Sequence, residues 1–157
     1  LAIKFEKEAV DDIITEAVKR TKKLTVNRKL ISKLPHSLII VEVDIHLMTQ
    51  VLINLIENAV NHTSDHGKIV ISTEIESNKI RFNVEDDGTG VSALDKPHIF
   101  EMFYTNKHDG ARGIGLGLSI CKSIIEAHNG TISVSDSQYN GAKFSFTLPI
   151  GEVITNE

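Results

Sequence analysis

Apolar residues recur at helical spacing in three stretches of the chain. The first, Glu6–Lys23, has acidic residues early and lysines late, which suits the dipole of a helix. The second, Gln50–Thr63, follows Asp44, a plausible N-cap. The third begins at Leu118 and runs to Asn129-Gly130, a pair typical of a helix C-cap. The pattern therefore predicts three helices.

Six further segments are rich in β-branched residues or alternate between apolar and polar side chains, as strands do. They are Leu24–Leu34, Leu38–Val43, Lys68–Glu76, Lys79–Glu85, Thr131–Asp136 and Lys143–Leu148. Turns are predicted at Pro35, Ser77-Asn78 and Asn140-Gly141, a short helical turn at Pro97–Phe103, and a tail over Gly151–Glu157. The whole chain of 157 residues is expected to form one domain of the α/β (α+β) class.

The helix predicted over Gln50–Thr63 has a polar face that needs a reason. Asn54, Asn58 and Asn61 fall within an arc of roughly 60°, given 3.6 residues per turn. Asn is a poor helix former, and Asn58 borders the apolar stripe, where an amide without a partner costs a few kcal/mol. A polar rim bonded to loops or water is one interpretation. A ligand site is the other, and three amides in register favour it.

A glycine-containing motif, Asp86-Asp87-Gly88-Thr89-Gly90, follows directly after a predicted strand. Glycines at alternate positions mark a tight turn or a close approach of the backbone to another group. The Asp86 carboxylate offers a hydrogen-bond acceptor of the kind that the exocyclic amine of adenine would need. An Asx-turn in an ordinary loop explains this motif about as well.

A second glycine-rich stretch, Gly113–Leu118, opens the third predicted helix after a polar loop over Tyr104–Arg112 that we expect to be mobile. Glycines at a helix start leave N–H groups and the positive end of the dipole accessible to an anion, phosphate above all. The stretch is not a Walker A loop, because no Gly-Lys-Ser/Thr follows. It is not a Rossmann fingerprint either, because its spacing differs and a loop precedes it.

Composition argues against several classes of protein. The net charge of −4, with no dominant basic run, argues against a nucleic-acid-binding surface. The single cysteine, Cys121, excludes an internal disulfide. We expect neither a membrane span nor a secretory leader in this sequence. Because it begins at Leu1 rather than Met, we expect a piece of a longer protein in which any anchor or sensor lies elsewhere.

Taken in order, these motifs resemble the ATP-binding catalytic domain of sensor histidine kinases, in the superfamily of gyrase B, Hsp90 and MutL. Asn54–His62 is similar to the N box of that family and Asp86–Gly90 to its G1 box. Ile99–Tyr104 is similar to the F box and Gly113–Leu118 to the G2 box. The resemblance covers nearly the whole chain. It implies the Bergerat ATP-binding fold, a two-layer sandwich in which about three helices pack on one face of a mixed, mostly antiparallel sheet of about five strands.

The resemblance also implies how Mg-ATP would be bound. Asn58 would coordinate Mg²⁺ through its amide oxygen, which suits a hard cation, and Asn54 would support the metal or the phosphates; both are expected catalytic residues. Asp86 would accept from the adenine amine. For His62, a helix-end cap is an equal alternative. The residues expected at the nucleotide are Asn54, Asn58, Asn61, His62, Asp86, Gly88, Gly90, Val91, Phe100, Tyr104, Lys107, Arg112, Gly113, Ile114, Gly115, Leu116, Gly117 and Leu118.

Two positions depart from the pattern of the family. Asn61 stands where many relatives carry Lys or Arg, and Thr105 where many carry Arg. Basic groups at these positions face phosphate, and such charges supply much of the transition-state stabilisation in phosphoryl transfer. Their loss would weaken catalysis unless Lys107 or Arg112 replaces them. We expect this replacement, which adds both residues to the expected catalytic set.

The partners implied by the resemblance are a separate dimerisation domain, which carries the phosphoacceptor histidine, and the receiver domain of a response regulator. No His followed by Glu or Asp and a downstream Pro occurs here, since His108-Asp109 lies in the predicted loop without such a Pro. We therefore expect this fragment to bind ATP without phosphorylating itself. Residues 1–5 would be a linker, the fragment a monomer, and the parent a homodimer anchored in the bacterial inner membrane with this domain in the cytoplasm.

Two other functions stay open at this point. Hydrolysing ATPases of the gyrase or Hsp90 kind, and related serine kinases, carry a Glu one turn before the metal-binding Asn. Asn54 stands there and cannot take a proton, while Glu57 points roughly 100° away from Asn58. The missing basic residues would also be compatible with a nucleotide-gated, non-catalytic interaction module.

Overall fold

The computed structural model describes residues 2–104 and 117–155. The helices are α1 Val10–Arg20, α2 Ile45–Asn61 and α3 Gly117–Ala127, with a 3-10 turn at Lys96–His98. The strands are β1 Glu6–Ala9, β2 Lys29–Ser32, β3 Leu38–Val43, β4 Lys68–Glu76, β5 Lys79–Asp86, β6 Ile132–Asp136, β7 Ala142–Pro149 and β8 Glu152–Ile154. In this part of the chain, no helix has both the length and the apolar character needed to cross a membrane.

Five strands form the main sheet, in the order β2-β4-β5-β7-β6. The pair β2 and β4 is parallel, and the other pairs are antiparallel. Helix α2 packs against α1, α3 and the strands β4 and β5, while α3 also contacts β6 and β7. The predicted fold, a mixed and mostly antiparallel five-stranded sheet with three helices, is confirmed.

The core lies between the main sheet and the helices. The apolar stripe of α2 is fully buried and consists of Met48, Val51, Leu52, Leu55, Ile56 and Ala59. On β5 and β7, the rings of Phe82 and Phe146 stack with centroids 4.6 Å apart. Burial of a large apolar side chain contributes about 1.5–3 kcal/mol, so α2 is held firmly and its polar face is positioned by packing beneath it.

A second sheet, in the order β1-β3-β8, was not predicted. Residues Glu6–Ala9, expected as the start of the first helix, instead form β1 and pair antiparallel with β3. Residues Glu152–Ile154, expected within a tail, form β8 on the other edge of β3. The two strands have only four and three residues, so no periodic pattern marks them. Pairing with β3 satisfies their backbone groups and decides their conformation.

The strand predicted over Leu24–Leu34 is also wrong in its extent, because residues 21–28 form turns and only Lys29–Ser32 is a strand. The hydroxyls of Thr21 and Thr25 donate to backbone carbonyls four residues earlier, at 2.9 and 3.2 Å. Here the hydroxyl of a β-branched residue stabilises a turn rather than a strand. The strands β2 and β3, predicted on either side of Pro35, lie in different sheets.

Both predicted helix caps are confirmed. The Asp44 carboxylate accepts from the N–H groups of His46 and Leu47 at 3.1 and 3.2 Å. After α3, Asn129 has a φ of 62° and the Gly130 N–H donates to the Ile125 carbonyl at 2.9 Å, which is a Schellman closure. The two caps set where α2 begins and where α3 ends.

Candidate functional site

The loop after β5 packs against the last turn of α2. A Cβ added to Gly88 would lie 1.9 Å from the His62 carbonyl oxygen, which also accepts from the Thr89 N–H at 3.3 Å. Gly88, which was predicted to lie at the nucleotide, packs against this helix end as well as against Asp86. Gly90 has a φ of 73°, a conformation that glycine adopts without strain. The packing brings the glycine motif to the end of α2 whose last turns carry Asn58 and Asn61.

Asp86 is buried and is held by backbone donors from two segments. Its exposed fraction is 1%, and its Oδ1 accepts from the N–H groups of Gly88 at 2.9 Å and Ala142 at 3.2 Å. Within residues 2–104 and 117–155, its Oδ2 makes no hydrogen bond. Burial raises the pKa of this carboxyl above its usual value, and the two backbone bonds offset part of that rise. A carboxylate that is held in place through Oδ1 can accept from an N–H group of a ligand through Oδ2.

The three asparagines of α2 lie along one face but in different surroundings. Asn54 and Asn58 are half-buried and Asn61 is exposed. The Asn54 amide accepts from Gln50 Nε2 at 2.9 Å, and its own nitrogen faces α3, 3.5 Å from the Gly117 carbonyl oxygen. The Asn58 amide makes no hydrogen bond to the described residues. Asn54 is therefore tied to α3, whereas Asn58 can bind a ligand without breaking an internal bond.

His62 forms the C-terminal cap of α2, which was the alternative interpretation for this residue. Its backbone N–H donates to the Asn58 carbonyl at 3.2 Å, and its Nδ1 lies 2.8 Å from the same oxygen. Because a carbonyl only accepts, Nδ1 carries the hydrogen. His62 therefore stabilises the helix end that contacts the loop after β5.

Arg28 stabilises the same helix end, although no sequence motif marks it as part of the site. Its guanidinium donates to Thr63 Oγ1 at 2.8 Å, and to the carbonyl oxygens of Val60 and Thr63 at 3.1 Å each. The Val60 carbonyl lies in the last turn of α2, where carbonyls lack their usual intrahelical donors, and the Thr63 N–H reaches it only at 3.3 Å. The contacts span 32 and 35 residues of chain, so no local pattern could have marked Arg28.

The predicted F box is anchored by aromatic and polar contacts. The Phe100 ring packs edge-on against Phe144, with centroids 6.0 Å apart. Tyr104 stacks on His98 at 5.5 Å and donates its hydroxyl to Asp95, a bond that raises the pKa of the Tyr104 phenol. These contacts hold the segment that leads into the predicted loop.

Several predicted site residues lie outside the described part of the chain. They are Lys107, Arg112, Gly113, Ile114, Gly115 and Leu116, together with Thr105 and the pair His108-Asp109. Of the described ones, Gly117 and Leu118 begin α3, and an added Cβ on Gly117 would meet no atom within 4 Å. Val91 belongs to the core, with 9% of its surface exposed.

A magnesium site at α2 would depend mostly on the ligand rather than on the protein. Among residues 2–104 and 117–155, no group of three or more His, Cys, Asp or Glu side chains could hold a metal ion. Mg²⁺ commonly takes one or two protein oxygens and completes its shell with phosphate oxygens and water. The half-buried Asn58 amide, which makes no hydrogen bond to the residues that the structure describes, fits that donor set.

Comparisons with known proteins agree in pointing to one family. The family described as "Histidine kinase-, DNA gyrase B-, and HSP90-like ATPase" matches residues 43–152. Sensor protein KdpD of Clostridium acetobutylicum is 39% identical over 150 residues, which cover 94% of this chain and 17% of that protein. This chain is therefore similar to a small part of a much longer sensor protein.

Solved structures give the same result for the fold. The catalytic domain of histidine kinase ThkA aligns with a TM-score of 0.83 at 32% identity, over 93% of this chain and 95% of that domain. The structure of histidine kinase ThkA in complex with response regulator protein TrrA aligns with a TM-score of 0.80 at 31% identity, over 94% of this chain and 42% of that chain.

Proposed function

Since the chain belongs to the histidine kinase-, DNA gyrase B- and HSP90-like ATPase family, we propose that it binds Mg-ATP and donates the γ-phosphate to a histidine on a separate dimerisation domain. The final recipient would be an aspartate on the receiver domain of a response regulator. The ThkA structure with TrrA supports a partner of that class. The whole chain would be one catalytic domain of a homodimeric, membrane-anchored sensor kinase, with residues 1–5 as a linker and the catalytic domain in the cytoplasm.

One observation carries the proposal. The fixed carboxylate of Asp86 and the amide of Asn58, which bonds to no described residue, lie near the same end of α2. Asp86 Oδ2 would accept from the adenine amine while Oδ1 stays bonded to two backbone N–H groups. Asn58 would hold Mg²⁺ through its amide oxygen, and Asn54 would support the phosphates one turn earlier. The bound metal would supply positive charge against the phosphate oxygens.

The other proposed contacts surround these two groups. The described residues that would border the nucleotide are Asn61, His62, Gly88, Gly90, Val91, Phe100, Tyr104 and Leu118. Lys107 and Arg112 from the polar loop, and Gly113–Gly117 from the glycine-rich stretch, would complete the site. Lys107 and Arg112 would supply the positive charge that Asn61 and Thr105 lack, acting on the transferred phosphate.

Transfer rather than hydrolysis is favoured by the residue at position 54. A general base at this place would have to accept a proton from water, and an amide cannot do so. The Asn54 amide is moreover bonded to Gln50 and oriented toward α3. Glu57, the nearest carboxylate on the helix, is exposed.

Calorimetry with a non-hydrolysable ATP analogue tests the binding half of the proposal. The unmutated domain, called the parent domain from here on, should bind the analogue more tightly with Mg²⁺ than without it. Asn58→Ala should abolish that difference. Glu57→Ala, a change at the adjacent exposed position, is the matched control and should keep it. Equal affinity with and without Mg²⁺ in the parent domain would overturn the metal assignment.

Labelled ATP tests the transfer half. The isolated domain should gain no stable label, but should label an added cognate dimerisation domain that carries the acceptor histidine. Label retained on the isolated domain would reveal an acceptor within this chain. Steady release of inorganic phosphate without any transfer would favour a hydrolysing ATPase instead.

A further inference from the structure

The turn between β6 and β7 contacts the Asp86 side chain directly. Ala142, the first residue of β7, donates its N–H to Asp86 Oδ1 at 3.2 Å. Gly141 precedes it, and its carbonyl accepts from the Ser137 N–H at 2.8 Å, which closes the turn. Asn140 takes a φ of 81° at the tip. The backbone of this turn is therefore fixed against the end of β5.

No side chain fits at position 141. A Cβ added to Gly141 would lie 2.1 Å from Asp86 Oδ1, 2.4 Å from the Asp86 carbonyl oxygen and 2.6 Å from the Gly88 nitrogen. Real carbon atoms do not approach these groups so closely, and two of the three belong to backbone that cannot swing aside. The carboxylate is the group that would move.

The orientation of the carboxylate depends on both neighbours of Oδ1. Gly88 and Ala142 donate to this oxygen from two segments, so turning the carboxylate would break two hydrogen bonds in a buried place. With Oδ1 held, the direction of Oδ2 is set as well. A ligand amine would then meet an acceptor whose position costs nothing to organise on binding.

We propose that Gly141 and Ala142 are positioning residues for base recognition, because they orient Asp86 so that its Oδ2 faces the exocyclic amine of an adenine nucleotide. This inference rests on the proposed function and assigns the turn no contact with the nucleotide. Selection for a purine with a 6-amino group would then depend on a turn located 56 residues beyond Asp86.

The experiment compares ATP with purine riboside triphosphate, which has the same ring system and phosphates but a hydrogen in place of the amine. Calorimetry on the parent domain should show about ten- to a hundredfold tighter binding of ATP, the difference expected for a hydrogen bond to a charged group. In Gly141→Ala this ratio should fall to near one, because the affinity for ATP falls while that for the analogue changes little.

Gly130→Ala is the matched control for the steric clash. An added Cβ there would lie 1.9 Å from the Thr147 carbonyl oxygen, so the crowding is as severe. Thr147 lies five residues along β7 from Ala142, about 16 Å away given the rise of a strand. This variant should lower the melting temperature but keep the preference for ATP that the parent shows.

A second variant, Ala142→Pro, replaces the N–H that reaches Asp86 with a ring carbon that crowds Oδ1, at the first position of a strand, where proline is tolerated. This variant should also lower the ratio of the affinity for ATP to that for the analogue. It provides the test if Gly141→Ala does not fold. A folded form of either variant that keeps the parent ratio would overturn the inference and leave the proposed function standing. A parent domain that binds neither nucleotide would overturn the proposed function, and the inference with it.

Discussion

The backbone N–H of Asp44 donates to Nε2 of His128 at 3.1 Å. His128 is 3% exposed, and its Nδ1 lies 2.7 Å from the Ile124 carbonyl oxygen, so Nδ1 carries the hydrogen and Nε2 accepts. The Phe5 ring packs against the imidazole with centroids 5.1 Å apart. One buried side chain thus connects the end of α3, the start of α2 and the segment before β1.

His128→Phe should destabilise the domain although it conserves an aromatic ring. The Asp44 N–H would lose its acceptor, and an unpaired buried group costs about 1–3 kcal/mol. The Ile124 carbonyl would lose the ring donor and keep only the bond from the His128 backbone N–H. We expect the free energy of unfolding to fall by about 2–4 kcal/mol in denaturant titrations. The control is His46→Phe, at an exposed position of α2. Equal stabilities of the two variants would show that the ring nitrogens contribute nothing.

Arg28→Met should loosen the C-terminal end of α2. The side chain of Arg28 is 11% exposed, and its removal would take a charged donor from the Val60 and Thr63 carbonyls and from Thr63 Oγ1, although the Val60 carbonyl would keep the bond from the Thr63 N–H. We expect a loss of about 2–4 kcal/mol in the free energy of unfolding, because bonds from a charged group are worth more than neutral ones. Arg20→Met, which breaks an ion pair of a half-exposed side chain with Glu16, should cost much less, because solvent screens exposed ion pairs. A similar loss in both variants would contradict this.

Asp86→Asn should separate stability from binding. Burial raises the pKa of Asp86, so the stability that this carboxyl contributes is present below its usual pKa of 3.8 and is lost as pH rises through the raised value. At pH 7 an isosteric amide removes this cost and should raise the melting temperature by a few degrees. Affinity for ATP should nevertheless fall at least tenfold, because an amide nitrogen facing the adenine amine sets donor against donor.

The stability gained in Asp86→Asn should depend on pH, and thermal unfolding can measure this dependence. The gain in melting temperature over the unmutated domain should shrink as the pH is lowered from 7 toward the usual pKa of 3.8, because the raised pKa of Asp86 lets its carboxyl take up a proton above that pH. A gain that stays constant over this range would mean that the charge of Asp86 does not limit stability.

Cys121 should resist thiol reagents in the folded domain. Burial raises the pKa of its thiol to about 11. At pH 8 about one in a thousand such groups is a thiolate, against roughly one in four for an ordinary cysteine. Labelling should therefore be slow in buffer and fast in denaturant. The control is Ser123→Cys in a Cys121→Ala background, whose exposed thiol should react quickly without denaturant. Equal labelling rates in buffer would contradict the burial of Cys121.

Much of the fold was predictable from short-range patterns. The apolar stripe of α2, its cap at Asp44 and the closure at Asn129-Gly130 each depend on residues a few positions apart, and all three are confirmed. The order of the motifs predicted the family, the fold and the class of enzyme, a histidine kinase catalytic domain, and these too are confirmed. The roles of Lys107 and Arg112 stay predictions.

The sequence by itself determined which stretches are amphipathic, where helices can begin and end, and which polar residues lack an ordinary structural reason. Only the tertiary structure decided that Glu6–Ala9 and Glu152–Ile154 are strands, since their hydrogen-bond partners lie on β3. The same holds for the enclosure of Asp86 by Gly141. A local pattern records periodic burial along one element, whereas such contacts join residues far apart in the chain, and their geometry exists only once the sheet and helices have packed.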